Sequence, residues 1–311
     1  MPTVAILGAS GFLGRHVTRV FADAGYPVVA CQRRQTEQID DPRTGALFAT
    51  TWFDVTDADA SRLWEFEPRI IVNCAAYGVA PAERNVELAL TVNATSLAAL
   101  VALADSHGVD RFLHVGSAAE YGAASVLIDE DMGVNPAGLY GRTKAAGSII
   151  ALAAAEILRM DLYVARPFGF YGPGEHLSKF VPSLARALIA GQPIDLTSGR
   201  AIRDYTFVGD ICDALLSLAK LPSGAFSSQI FNIASGLPIS IRDLGEAVVD
   251  AVGADPTLAR WGALPDRPEE VPFLVGSPKR ITDLTGWRAE TTLKVGIAKT
   301  VKSIMIDLLK T

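Results

Sequence analysis

Apolar residues along this chain alternate between two patterns. Short β-branched runs, as at 3–7, 70–73, 111–115 and 161–166, have the length and composition of buried parallel strands. Between them lie longer segments, such as 86–107 and 139–160, in which apolar residues recur at helical spacing. The order predicted is strand 3–7, helix 15–21, strand 27–31, loop 35–50, strand 52–55, a short helix over 61–66, strand 70–73, helix 86–107, strand 111–115, helix 139–160 and strand 161–166. Helices follow over 181–190, 210–221, 241–252 and from 293, with strand-like runs at 203–208 and 230–233. Alternation without repeats implies an α/β chain built as a doubly wound parallel sheet. The boundary expected is a first domain over 1–166 and a smaller α/β lobe over 167–311, with strands from 202–240 returning to the first sheet.

The first strand breaks into Gly8-Ala9-Ser10-Gly11-Phe12-Leu13-Gly14 before the first helix. Glycines at these points permit a tight turn, a close backbone approach to phosphates and close helix–strand packing, which is how a helix N-terminus is aimed at a dinucleotide diphosphate. The second strand ends in Gln32-Arg33-Arg34, offering guanidinium groups for a 2′-phosphate where an NAD site carries an acidic residue. NADP(H) is therefore the preferred cofactor, with NAD(H) as the alternative. Asp54, before Val55, ends the third strand and is a candidate partner for the adenine amino group. Cys74, Ala75 and Ala76 are small enough to leave room for a cofactor across the strand ends.

Composition narrows the partners. Half of the 311 residues are hydrophobic and a fifth charged, with a formal net charge of -6. No basic run is present, which argues against nucleic acid. The stretch 148–158 is too short to span a bilayer and contains Glu156, and no N-terminal signal pattern is seen, so a cytoplasmic protein without membrane attachment is expected. Cys31, Cys74 and Cys212 lie far apart in apolar segments, as buried free thiols would, and no metal-ligand spacing occurs. His114, inside a strand, reads as a satisfied core histidine.

Tyr140 and Lys144 are four apart on a predicted helix and share one face. A neighbouring ammonium favours tyrosinate and is expected to lower the tyrosine pKa. Ser117, at a strand end, can hydrogen-bond the same substrate oxygen. Beside a nicotinamide, these three groups can interconvert carbonyl and alcohol.

With these parts the chain resembles the extended short-chain dehydrogenase/reductases, in particular the nucleotide-sugar epimerase/dehydratase group, over essentially its whole length. The glycine turn matches the family's GxxGxxG, Tyr140 with Lys144 its YxxxK, and Ser117 its catalytic Ser/Thr. Arg166-Pro167-Phe168, Tyr171-Gly172-Pro173-Gly174, Arg203-Asp204-Tyr205 and Gly286-Trp287 match its RPF, YGPG, RDY and GW segments. The resemblance implies that Gly8, Ser10, Gly11, Phe12, Leu13, Gly14, Pro167, Tyr140 and Lys144 serve the cofactor. It implies that Tyr77, Ser117, Lys179, Phe180, Arg203 and Arg267 serve a nucleotide-diphosphate sugar, the two arginines clamping its diphosphate. It further implies a homodimer paired through the two alanine-rich helices.

Two departures narrow the reaction. Ala118 and Ala119 stand where dehydratases of the family carry acids, and strand alternation would turn Glu120 to the opposite face, so a 4,6-dehydratase is disfavoured. Gly169 replaces the family's asparagine and removes one substrate contact. The leading expectation is an NADPH-dependent reductase of a nucleotide-activated 4-keto-6-deoxyhexose. The alternative is an NAD-dependent nucleotide-sugar 4-epimerase using the same triad.

Overall fold

The computed structural model describes residues 1–33, 49–58, 62–79, 83–222, 224, 229–267 and 270–309. The first half runs β1 (Val4–Leu7), α1 (Phe12–Asp23), β2 (Val28–Gln32), β3 (Ala49–Trp52), β4 (Ile70–Asn73), α2 (Val86–Leu90), α3 (Ser96–Ser106), β5 (Arg111–Val115), α4 (Gly138–Leu158) and β6 (Asp161–Pro167). The second adds β7 (Gly169–Tyr171), α5 (Phe180–Ile189), β8 (Ile194–Leu196), β9 (Ile202–Phe207), α6 (Val208–Ala219), β10 (Gln229–Ile233), β11 (Pro238–Ser240) and α7 (Ile241–Val252). It closes with β12 (Ala259–Trp261), β13 (Phe273–Leu274), α8 (Lys279–Thr285) and α9 (Leu293–Leu308).

Seven parallel strands form the central sheet in the order β10-β6-β5-β4-β1-β2-β3. Alternation along each strand feeds two cores. Val4 and Ile6 pack with Val17 and Phe21 of α1 and with Ile211 and Leu215 of α6. Ala5 and Leu7 turn to the other face, against Leu97 and Leu100 of α3 and Ala151 and Ala155 of α4. This is the Rossmann-type doubly wound architecture that the alternating pattern predicts. A third core, around Val181, Leu184, Leu244, Val248, Ile297 and Val301, belongs to α5, α7 and α9 beneath a small sheet ordered β11-β9-β13.

Of the strands in 202–240, β10 alone joins the central sheet, while β9 and β11 pair antiparallel in the small one. The third strand is 49–52 rather than 52–55, because Phe53 and Val55 are buried from a loop and are apolar without being strand. Most of the loop expected over 35–50, together with Arg34, lies outside the described residues. The helix expected over 86–107 is divided by one wide turn, Thr91–Thr95. The segment Val86–Ser106 is long and apolar enough to cross a membrane by length and composition, and 44% of its most apolar window is buried inside the molecule.

Candidate active site

The glycine turn is held by backbone geometry. Gly8 has φ +73°, and a Cβ there would lie 2.9 Å from the amide nitrogen of Ala75. A Cβ on Gly14 would collide with the carbonyl oxygen of Gly8, so α1 can lie this close to β1 only without side chains. The open space beside this turn is a cavity of about 150 Å³ lined by Gly8, Ser10, Gly11, Arg33, Asp54, Val55, Cys74, Ala75 and Ala76. The shape and the bare backbone fit the adenosine and phosphate end of a dinucleotide. Gln32 lines it beside Arg33, and Cys31, Phe53 and Val92, which the sequence does not single out for the cofactor, complete its walls. Leu13 and Gly14 are buried in the first turn of α1, and Pro167 is buried at the end of β6. Burial pushes the Cys74 thiol up to about 12, which leaves it an inert wall residue.

Ser117, Tyr140 and Lys144 converge as the spacing requires. Ser117 follows β5 and caps a single 3-10 turn, its hydroxyl accepting from the Ala119 amide at 3.1 Å. It also hydrogen-bonds the Tyr140 hydroxyl. Lys144 is 1% exposed and donates to the Val115 carbonyl at 2.6 Å. Burial lowers its pKa to about 8. The expected lowering of the tyrosine pKa is not found: desolvation pushes Tyr140 up to about 12, with only the Ser117 bond opposing. Tyr140 is therefore a neutral phenol carrying its proton.

The histidine of β5 touches this machinery. The amide of Ala75 donates to Asn73 Oδ1 at 3.1 Å, which turns Asn73 Nδ2 toward His114 Nδ1 at 3.3 Å. His114 Nε2, at the other side of the ring, lies 3.5 Å from Lys144 Nζ. Burial and the lysine charge both hold His114 neutral.

Glu120 is removed from the site, though not by strand alternation. The 3-10 turn buries it completely, where it accepts from the Ser117 amide at 2.8 Å and pairs with Arg166 at 2.8 Å. A buried pair of this kind costs roughly 3–5 kcal/mol to break, so the carboxylate is committed.

The position of α4 depends on residues that periodicity does not reveal. Asn93, in the wide turn before α3, donates to Thr143 Oγ1 at 2.9 Å and to the Tyr77 carbonyl at 2.7 Å. Gly147 lies against that turn so closely that a Cβ would collide with the Asn93 carbonyl. The two helices thereby fix Tyr77 and, one turn before Gly147, the Tyr140–Lys144 face.

Beyond the turn are two further cavities, of about 400 and 460 Å³, both lined by Val79, Lys179 and Phe180. The first also takes Phe12, Gly169, Tyr171, Glu175 and Tyr205, and the second takes Thr197, Trp261, Arg267 and Glu270. Phe12 thus faces this cleft and stacks on Phe170 with ring centroids 5.6 Å apart. Arg267 is exposed on the cleft wall, whereas Arg203 is half-buried, faces Glu270 at 3.8 Å and donates to its neighbour's carbonyl. Tyr77 does not line either cavity; its hydroxyl accepts from the Asn85 amide at 3.4 Å. At Gly169 a Cβ would sit 2.6 Å from the Asp204 carbonyl and 3.0 Å from the Tyr205 ring, so that ring occupies the space a side chain would need.

Comparison with known proteins gives the same picture. The model of the NAD dependent epimerase/dehydratase family matches residues 4–234. The chain is 32% identical to the UDP-glucose 4-epimerase of Mycolicibacterium smegmatis over 96% of both proteins. It is 30% identical to the dTDP-4-dehydrorhamnose reductase of the same organism over 92% of this chain and 82% of that one. Among solved structures, MoeE5 in complex with UDP-glucuronic acid and NAD superposes with a TM-score of 0.85 at 26% identity, covering 98% of this chain and 99% of that one. From the glycine turn through β10, this chain belongs to the NAD-dependent epimerase/dehydratase family.

Proposed function

We propose that the protein is an NADPH-dependent reductase of a nucleotide-activated 4-keto-6-deoxyhexose. The observation that carries this reading is the adenosine end of the cofactor cavity. Gln32 and Arg33 line it where β2 ends, and no carboxylate from that strand faces the ribose. Its carboxylate, Asp54, accepts from the Thr56 amide at 2.9 Å and from its hydroxyl at 2.8 Å. A site without that acid suits the phosphorylated cofactor used for net reduction.

A nicotinamide bound at the glycine turn would provide the hydride for reduction of the sugar carbonyl. Tyr140 gives its phenolic proton to the same oxygen, so that C=O becomes CH–OH. Ser117 donates a hydrogen bond to that oxygen, and Lys144 would hold the ribose of a bound cofactor. Ala118 and Ala119 supply no acid for dehydration, and Glu120 is locked on Arg166. Lys179, Phe180, Arg203 and Arg267 receive the nucleotide diphosphate, with Arg203 leaving Glu270 for the phosphates.

A second reading, a nucleotide-sugar 4-epimerase that keeps NAD bound, is favoured by the epimerase relative at 32% identity. One experiment separates the two. The purified protein is denatured, any dinucleotide released is identified, and NADPH oxidation is assayed with nucleotide-linked 4-keto-6-deoxysugars. Stoichiometric NADPH consumption supports the reductase. Retained NAD, with sugar isomers interconverting and no net redox change, replaces it with the epimerase.

The outward residues Val86, Leu90, Ile149 and Ile157, between 43% and 82% exposed, support a homodimer paired through α2–α3 and α4. A monomeric mass in light scattering rejects that assembly.

A further inference from the structure

The 400 Å³ cavity contains an acidic group, Glu175, to which neither the cofactor nor the diphosphate has been assigned. Glu175 follows the Tyr171-Gly172-Pro173-Gly174 turn, and its amide donates to the Gly172 carbonyl at 3.2 Å. Its Oε2 is buried and has no hydrogen-bond partner. Around it are the aromatic walls of the 400 Å³ cavity, among them Phe12, Phe170, Tyr171 and Tyr205. Burial pushes the carboxyl up to about 7, against the pull of Lys179. That lysine's ammonium donates to the Val79 carbonyl at 3.0 Å, and His176 on the same wall is held by Ser178 at 2.8 Å. A buried acceptor left unpaired is unfavourable, so its donor has to arrive with whatever fills the cavity.

The location says what that is. Val79 is shared with the neighbouring cavity that contains Arg267, and it adjoins Gly78, whose Cβ position lies 3.6 Å from the Tyr140 ring. Phe12 belongs to the cofactor turn. The cavity that holds Glu175 therefore adjoins both the one that holds Arg267 and the segment that packs on Tyr140, where a sugar attached to a diphosphate near Arg267 can enter. The turn that carries Glu175 is itself fixed to α1, because Arg15 donates to the Gly174 carbonyl at 3.1 Å and His16 meets the Pro173 carbonyl at 2.8 Å. The carboxylate is thus presented from a rigid support.

We infer that Glu175 selects the sugar by charge: its buried oxygen accepts a hydrogen bond from a ring hydroxyl of an uncharged hexose and repels the carboxylate of a hexuronic acid. This rests on the nucleotide-sugar reading of the cleft. UDP-glucose and UDP-glucuronic acid differ only at C6, a hydroxymethyl against a carboxylate, and so isolate the charge. The same holds for GDP-mannose and GDP-mannuronic acid.

The test is calorimetric titration of cofactor-loaded protein at pH 8 with both pairs, comparing wild type with Glu175→Gln. The substitution keeps the shape and breaks no existing hydrogen bond. Wild type should bind the neutral member about tenfold more tightly than the uronate. Glu175→Gln should remove most of that ratio by strengthening uronate binding, because the amide can donate to a carboxylate. A ratio that Glu175→Gln leaves unchanged, or a wild type that prefers the uronate, overturns the inference while the nucleotide-sugar reading stands. Failure of every member of both pairs to bind either protein overturns that reading, and the inference with it.

Discussion

The two ends of the site are built from different material. The adenosine cavity draws on short stretches at the ends of adjacent strands: 8–11 after β1, 31–33 at β2, 53–55 after β3 and 74–76 after β4. Its walls are largely backbone and small residues, because what it must do is admit a phosphate chain to a helix N-terminus. The cleft beyond Phe12 collects side chains from 79, 168–171, 175–176, 178–181, 194–197, 205, 261, 264, 267 and 270. Its character lies in which side chains stand there, and any of them can change without disturbing the sheet. The first region therefore identifies the chemistry the protein carries out, and the second decides on what. They meet where Arg15 and His16 of α1 grip the Pro173-Gly174 turn.

The largest effect should come from the proton donor. Tyr140→Phe removes the proton donor while leaving both cavities intact. Turnover should fall by roughly 10²–10⁴, the usual contribution of a positioned acid, with cofactor affinity within a few-fold of wild type. Single-turnover kinetics with a fluorescence titration of the cofactor would read both. A loss smaller than about tenfold removes Tyr140 from its assigned role.

The sequence discloses the two regions unequally, and Gly147 shows why. The glycine turn and the Tyr140/Lys144 spacing are legible because each is a local pattern with a local cause. The wide turn at Thr91–Thr95 is not, since its residues keep an apolar helical rhythm and only Asn93's bonds to Tyr77 and Thr143 show that the helix is interrupted. Phe53 and Val55 have the apolar signature of a strand without being one, because burial, whatever its origin, selects apolar residues. Strand alternation does not account for the removal of Glu120, which a capped turn and Arg166 bring about. Glu175 gave no signal, because nothing near it in sequence shows that a cavity surrounds it. Gly147→Ala tests the hidden part. The added Cβ collides with the Asn93 carbonyl, so stability should fall by roughly 1–3 kcal/mol, as overpacking does, measured by urea denaturation. Because α4 must shift to accommodate it, kcat should fall too, although Gly147 touches neither cavity.

A smaller change is expected at the adenosine end. Arg33→Ala should reduce the preference for NADPH over NADH by about tenfold, or about 1.4 kcal/mol, by removing one charge-assisted contact to the 2′-phosphate. Initial rates with each dinucleotide give the ratio directly. An unchanged ratio shifts the discrimination away from Arg33, and the argument for a reductase loses its main support.

The last effect belongs to the cleft and is read without substrate. Glu175 has its pKa raised from 4.5 to about 7 by burial. Between those values the folded protein holds a proton that the unfolded chain has released, so stability declines as pH rises through this window. The penalty is absent below the unfolded value and complete above the folded one. Glu175→Gln cannot ionise and escapes it. Its Tm should therefore match wild type near pH 4.5, move ahead as pH rises, and hold a constant lead of a few degrees above pH 7.5. A lead of the same size at both pH values would mean that the amide merely packs better than the acid. A lead confined to high pH would show that the uncompensated charge lies in the folded cleft itself, where a sugar hydroxyl could stabilise it.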